Sequence, residues 1–343
     1  MPEIRLRKQD HLRWALSVEA QMRRSTGLER FRFQHQALPE LNLREVDPGV
    51  DFLGWHLRVP LLISSMTGGT AEARTINENL ARAAQAGGAA MAVGSQRIAI
   101  HDPSCWDSFR VVREAAPEIA LFGNIGAVQL NYGLGPADVR ELVQGLGADG
   151  IFLHLNPLQE AIQEEGDTDF RGLLDKIGQV TRSVSFPVLV KEVGAGIDVA
   201  LAVSLARQGV AAIDVSGAGG TSWARIEGLR AGDPRRQRLG TIFRDWGIPT
   251  AESLIACRAR LPDYPLIASG GIRNGLEVAK ALALGANLVG IAGPLLKAAR
   301  ESADAVVQLL ESLSLELRVA MFASGAGDVQ TLRRDDRLQP VLR

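Results

Sequence analysis

The chain has 343 residues, 46% hydrophobic and 22% charged, with a formal net charge of −1. This is a globular composition, long enough to bury a large core, and it excludes disorder as the main state. A balance so near neutral offers no bulk basic field for nucleic acid or an anionic membrane.

Two cysteines, Cys105 and Cys257, cannot build a disulfide framework, a four-cysteine zinc site or a Cys-ligated iron–sulfur cluster. They read as ordinary thiols of a reducing compartment. The opening stretch MPEIRLRKQDHLRW lacks the apolar core of a signal peptide, and no apolar run reaches the ~18 residues of a membrane span. A soluble, cytoplasmic protein is expected.

Residues 1–60 form an N-terminal extension. Its charged cluster, Arg7, Lys8 and His11, has the spacing that brings three side chains to one side of a helix. Such a cluster suits a diphosphate or is simply a solvated face. Eight short apolar runs follow: 61–65 (LLISS), 89–93 (AAMAV), 120–124 (ALFGN), 150–154 (GIFLH), 187–191 (PVLVK), 211–215 (AAIDV), 266–269 (LIAS) and 287–291 (NLVGI). Runs of this kind read as parallel strands buried on both faces.

Amphipathic stretches at 75–86, 136–146, 170–180, 199–207, 251–259 and 276–284 suit helices. Gly87, Gly147, Gly209 and Gly285 follow four of them as left-handed caps. After Ile291, helices are expected at about 294–311 and 313–324. The unusually long gap between Ala211 and Leu266 must hold an insertion.

The spacing predicts an α/β fold, a (β/α)8 TIM barrel over 61–325, with the extension before it and the insertion after strand six. A charged tail, 326–343, is expected to be solvated. An open doubly wound sheet is the rival, but Gly68–Gly69 is followed by no third spaced glycine.

In such a barrel the site lies at the C-terminal ends of the strands. The loops after strands seven and eight, SGGIR (269–273) and AGP (292–294), suit a phosphate, or are turns that merely need glycine. Lys191 ends an otherwise apolar strand, as a Schiff-base lysine, a fixed cation beside an electron-rich ring, or a lysine reaching solvent. His154, Asn156, Gln159 and Glu160 are the densest polar group in the chain. Glu160 suits Mg²⁺ or is a surface carboxylate, and His154 is a site residue or a satisfied core histidine. Arg97, in GSQR (94–97), is a cation placed at the mouth. Trp223 and Glu227 in the insertion either close over a substrate or pack the insertion. Both cysteines lie away from strand ends and read as structural.

Taken in order, RKxxH (7–11), SSMTGG (64–69), GSQR (94–97), HLNPLQE (154–160), KEVGAG (191–196), SGAGGTSWARIE (216–227) and SGGIR (269–273) make the chain resemble the type 2 isopentenyl-diphosphate isomerases, FMN-dependent TIM-barrel enzymes. No motif residue departs from that family's pattern. The resemblance implies FMN phosphate on Gly270, Gly271, Arg273, Ala292 and Gly293. It puts the flavin ring and ribityl chain against Ser65, Met66, Thr67, Ser95, Asn124, Lys191, Ser216 and Thr221. It implies an isoprenoid diphosphate held by Arg7, Lys8, His11, Ser95, Gln96, Arg97, His154, Asn156 and Gln159, with Mg²⁺ on Glu160. Gln159 and His154 are the side chains nearest the chemistry. NADPH or another reductant would activate the flavin, and a homo-oligomer, tetramer or octamer, is expected.

The implied reaction moves one double bond, converting isopentenyl to dimethylallyl diphosphate at constant oxidation level. Protonating the alkene builds tertiary cation character, which a reduced flavin can stabilise and a dry cavity can protect from water. Two rivals remain at this level. Another flavin barrel would need the His-Gly-Gly-Arg segment of the 2-hydroxy-acid oxidases or the cysteines of glutamate synthase; here that stretch is SGAGGT (216–221). A non-catalytic phosphate-binding barrel would show no turnover and need no chromophore.

Overall fold

All eight apolar runs become short parallel strands, buried along their length except at His154. They are β1 Leu61–Ile63, β2 Ala90–Ala92, β3 Leu121–Gly126, β4 Gly150–Leu155, β5 Val188–Glu192, β6 Ala212–Asp214, β7 Leu266–Ala268 and β8 Leu288–Ile291. The computed structural model describes residues 2–334 and 337–341. The strands pair in chain order, and β8 returns to β1 with Val289 opposite Leu61 and Ile291 opposite Ile63, closing the barrel. Helices cover the outside, as a (β/α)8 barrel requires.

The two-residue period of a strand decides what the barrel contains. Leu62, Phe122, Phe152, Leu189, Ala212 and Ile267 form one inner apolar cluster. Two positions further along each strand path stand Ser64, Asn124, His154, Lys191, Asp214 and Ser269. The period therefore sets an apolar layer low in the barrel and a polar layer at its C-terminal rim. The hairpin Val50–Phe52/Trp55–Leu57 plugs the other end: Phe52 and Leu57 join the inner cluster, and the Trp55 ring meets the edge of Phe122 at 6.1 Å. Access to the interior is thus confined to one rim.

Two arginines fasten opposite parts of the barrel in the same way. Arg113 donates to the carbonyls of Ala116, Pro117, Ile119 and Gly147 and to the Asp149 carboxylate, which also accepts Leu121 N. Arg258 donates to the carbonyls of Leu261, Pro262, Tyr264 and Gly285 and to Asn287 Oδ1, which accepts Leu266 N. Each guanidinium ties a helix end, the start of the next strand and the following turn, satisfying carbonyls that burial would otherwise strand.

Several expectations are corrected. Gly87 ends its helix, and the left-handed cap is Gly88, at φ 69°. The break expected near residue 312 is absent. Ala303–Ala323 is one helix, because Ser312 Oγ bonds back to Gln308 O within it, and the true break is at Ser302, which caps Ala305 N. A helix at Asp107–Ala115 was not anticipated. The tail is not simply solvated: Val329 and Leu332 are buried, and Leu338–Pro340 pairs antiparallel with Phe31–Phe33. Leu12, Leu28 and Val46 of the extension share the same core as the barrel. The insertion after β6 holds two helices, Trp223–Arg230 and Pro234–Ile242.

Candidate active site

The rim layer opens into one cavity, lined by every residue expected at the site except Gln96. Gln96 is fully buried and turned into the barrel wall, where it donates to Leu142 O at 3.0 Å and accepts Asn124 N at 3.0 Å. Its amide braces Asn124 and does not line the cavity.

Residues Pro2–Ala15 form a helix, as the spacing of Arg7, Lys8 and His11 suggested, and those three side chains line the cavity. All three basic side chains are already engaged. Arg7 meets Glu165 at 3.4 Å. Lys8 Nζ donates to Gly68 O at 2.6 Å and Ser95 O at 3.0 Å, tying the helix to the loops after β1 and β2. Burial, helped by Arg7, brings the Lys8 ammonium down to about 7. His11 Nε2 lies 2.9 Å from Glu227 Oε1, and its ring meets Trp223 edge-on at 5.1 Å.

Glu227 is the joint of the site. The sequence left it between closing over a substrate and packing the insertion; it lies behind the cavity wall and ties the N-terminal helix to Gln159. Its Oε1 accepts from His11 and from Gln159 Nε2 at 2.7 Å, and its Oε2 takes Arg230. Gln159 Oε1 in turn accepts Asn156 Nδ2 at 3.2 Å, so the Gln159 amide is held at both ends.

His154 donates from Nδ1 to Asn124 Oδ1 at 2.9 Å, with Asn124 oriented to accept. Burial, and then the charges of Lys191 and Lys8, press its pKa down to about 3. The ring is neutral at physiological pH, and it leaves Nε2 as an acceptor.

Glu160 Oε1 accepts Asn156 Nδ2 at 2.8 Å and Oε2 accepts Asp167 N at 2.8 Å. Burial raises its pKa. A cation placed beside it would reverse that push. Asp167 also takes Arg97 at 2.7 Å and Gln129 at 2.9 Å, so this acidic corner already neutralises Arg97. Among the described residues no group of three or more His, Cys, Asp or Glu converges, so a metal here would take one carboxylate and complete its shell elsewhere.

On the opposite wall, Lys191 is buried and donates to Glu192 O. Glu192 Oε2 gathers the N–H groups of Val193, Gly194 and Ala195. Burial lifts that carboxyl to about 7. The loop of residues 217–220 packs backbone to backbone on Gly270 and Gly271. At Gly270, φ is +99° and a Cβ would fall 2.0 Å from Gly217 O, so only glycine fits. Arg273 donates to Gly271 O at 2.8 Å and braces this corner.

Four polar atoms of cavity-lining residues, Ser64 Oγ, Ser65 Oγ, Arg97 Nε and Asn156 Oδ1, are buried with no hydrogen-bond partner among the described residues. Buried polar atoms left open in this way fit a cavity that receives a polar ligand. Ser65 and the glycine corner fit a flavin nucleotide, and Asn156 beside Glu160 fits a phosphate with its cation.

Comparison with known proteins agrees with this geometry. A family model described as FMN-dependent dehydrogenase matches residues 143–339. A protein named isopentenyl-diphosphate delta-isomerase from Synechococcus sp. is 55% identical over 335 residues, covering 97% of this chain and 96% of that protein. Proteins of the same name from Nostoc sp. and Xanthobacter autotrophicus are 51% and 52% identical, over 97% and 96% of this chain and 95% and 96% of their own lengths. Among solved structures, a mandelate oxidase variant with a monooxide FMN adduct aligns over 100% of both chains with TM-score 0.66 and 20% identity. A flavocytochrome b2 variant aligns over 97% of this chain and 82% of its own with TM-score 0.70 and 19% identity. These structural likenesses establish the shared barrel. The full-length sequence matches go further: the chain belongs to the isopentenyl-diphosphate delta-isomerase family of enzymes, on the fold of the FMN-dependent dehydrogenases.

Proposed function

We propose that the chain interconverts isopentenyl and dimethylallyl diphosphate with reduced FMN as acid–base cofactor and Mg²⁺ on Glu160 to hold the diphosphate. The observation that carries this is a single cavity joining the Lys191–Ser216–Gly270 wall to the Arg7–His11–Glu160 wall. A flavin and a diphosphate tail that meet there have a short hydrocarbon fixed between them.

When bound, the reduced flavin supplies electron density for the tertiary cation and a site for proton exchange. The protein supplies the rest. Lys191 places a cation at one wall. Arg7, Arg97 and His11 face the diphosphate end, and Arg97 exchanges Asp167 for phosphate oxygens. Lys8 holds the N-terminal helix in place through two carbonyls. Gln159, clamped between Asn156 and Glu227, assists the flavin through orientation of the reacting end or through proton relay. His154, a neutral ring, offers Nε2 as an acceptor to the ligand or to a bridging water. Leu12, Met66, Ile98 and Trp223 line the same cavity and keep water from the cationic carbon.

The same reading takes NADPH as reductant, a cytoplasmic setting, and a tetramer or octamer as the working assembly. Exposed Ile242 and Trp246, in and after the second helix of the insertion, offer apolar surface to another copy. Among the described residues no helix is long and apolar enough to cross a membrane.

The test is direct. The purified protein is loaded with FMN, reduced anaerobically with dithionite or NADPH, and given isopentenyl diphosphate with Mg²⁺. Dimethylallyl diphosphate is the expected product, and its absence with intact reduced flavin defeats the proposal. Gln159→Ala is expected to keep flavin and lose turnover; unchanged turnover removes Gln159 from either role.

A further inference from the structure

Asp214 closes β6, beside Lys191 of β5 in the parallel register. It is fully buried and does not line the cavity, whereas Lys191, Ser216 and Ser269 do. Ser269 Oγ donates to both of its carboxylate oxygens, at 2.8 and 2.9 Å, and Ser216 N donates to Oδ1 at 3.0 Å. Ser216 has φ 39°, a left-handed backbone that a non-glycine residue holds only under constraint.

No motif reading used this carboxylate. Burial raises its pKa, and Lys191 and then the Ser269 and Ser216 hydrogen bonds oppose that push, as a buried charge needs a partner. The nearby Glu192 carboxylate is occupied by three backbone N–H groups, and only its carbonyl meets Lys191. The remaining ionisable neighbour of Lys191 across the sheet is His154, its register partner on β4, a neutral ring. Burial pulls the Lys191 ammonium down from its ordinary range. The opposing push comes first from Asp214 and then from Glu192.

We propose that Asp214 is a positioning residue, the buried counter-charge that keeps Lys191 a cation at the cavity wall while pinning Ser216 and Ser269 beside it. It acts through Lys191 without touching the ligand. The inference rests on the FMN reading above, since Lys191 matters to the chemistry through the ring it faces.

Asp214→Asn tests it. The amide keeps Oδ1 for Ser216 N–H and Ser269 Oγ–H, removes the charge, and turns the Oδ2 acceptor into an N–H donor facing Ser269 Oγ. In the FMN-loaded protein, a pH titration of the bound flavin's absorbance is expected to show a transition that Lys191→Met abolishes. In Asp214→Asn that transition moves to lower pH by about one to three units, the usual effect of an adjacent opposite charge. The alkaline limb of the kcat profile moves with it. A purely structural role would lower flavin content and Tm and leave the transition where it was. An unmoved transition in folded, flavin-loaded Asp214→Asn overturns the proposal. Wild-type protein that takes up no FMN overturns the reading beneath it instead, and flavin loading shows this before any variant is made.

Discussion

Glu227→Gln isolates the charge that joins the N-terminal helix to the insertion. The Glu227 side chain is 0% exposed. Burial alone would lift its carboxyl, but the charge and hydrogen bond of His11, the Arg230 guanidinium and the Gln159 amide outweigh burial and hold it at about 2 against an ordinary 4.5. That difference corresponds to about 3 kcal/mol of stability at neutral pH. It matches the ~3–5 kcal/mol lost when one partner of a buried pair is removed. Glutamine keeps the shape and one acceptor, so the loss is mainly electrostatic. Urea unfolding at pH 7 is expected to place the variant about 3 kcal/mol below wild type. The folded pKa lies below the unfolded one. The stabilisation is therefore present above about 4.5 and is lost as pH falls toward about 2. The gap between the two proteins accordingly holds from neutral pH down to the unfolded value and narrows below it. A gap under about 1 kcal/mol at pH 7, the worth of an exposed pair, refutes the reasoning. So does a gap that widens on acidification.

Gly270→Ala forces a side chain onto Gly217 O at a left-handed φ, so the corner must open. Flavin titration is expected to show binding weakened by about tenfold or more, equivalent to ~1.4 kcal/mol; unchanged affinity would mean the phosphate lies elsewhere. The His154 ring, held at about 3, is expected to stay neutral through the mildly acidic range in which a free histidine charges. Nitrogen chemical shifts of labelled histidine report this, and a ring that protonates near its ordinary value contradicts the buried, cation-flanked geometry.

The barrel was legible because its strands are continuous apolar runs, and each run marks its own rim position by the residue that ends it. Lys191 and His154 stand out for that reason: each is a polar residue at the end of an apolar run, and both line the cavity. Asp214 was less visible, since it sits inside AAIDV and its partners Lys191 and Ser269 come from other strands. Gln96 is the reverse case. It lies between two cavity residues, but the turn after β2 directs its side chain into the wall, which no one-dimensional spacing reveals. Lys8 was rightly placed at the mouth, while its two carbonyl partners, Gly68 and Ser95, depend on how the helix docks. The helix Asp107–Ala115 escaped notice because four of its nine residues are charged, and only Phe109, Val111 and Val112 show its apolar face. The expected division between helices at about 294–311 and 313–324 falls instead at Ser302, and Ser312 spends its hydroxyl on Gln308 O inside one continuous helix.

The paired arginine fasteners have a consequence for how the molecule can be divided. Arg113, Leu121 and Asp149 all precede β5, and Arg258, Leu266 and Asn287 all follow it. A nick in the stretch between β4 and β5 would sever no arginine bracket, and each fragment would retain a complete one. The cavity wall, by contrast, is split across that line, with His154 and Glu160 on one fragment and Lys191 and Ser216 on the other. Neither half-molecule alone carries a whole reaction chamber, however well its own bracket holds.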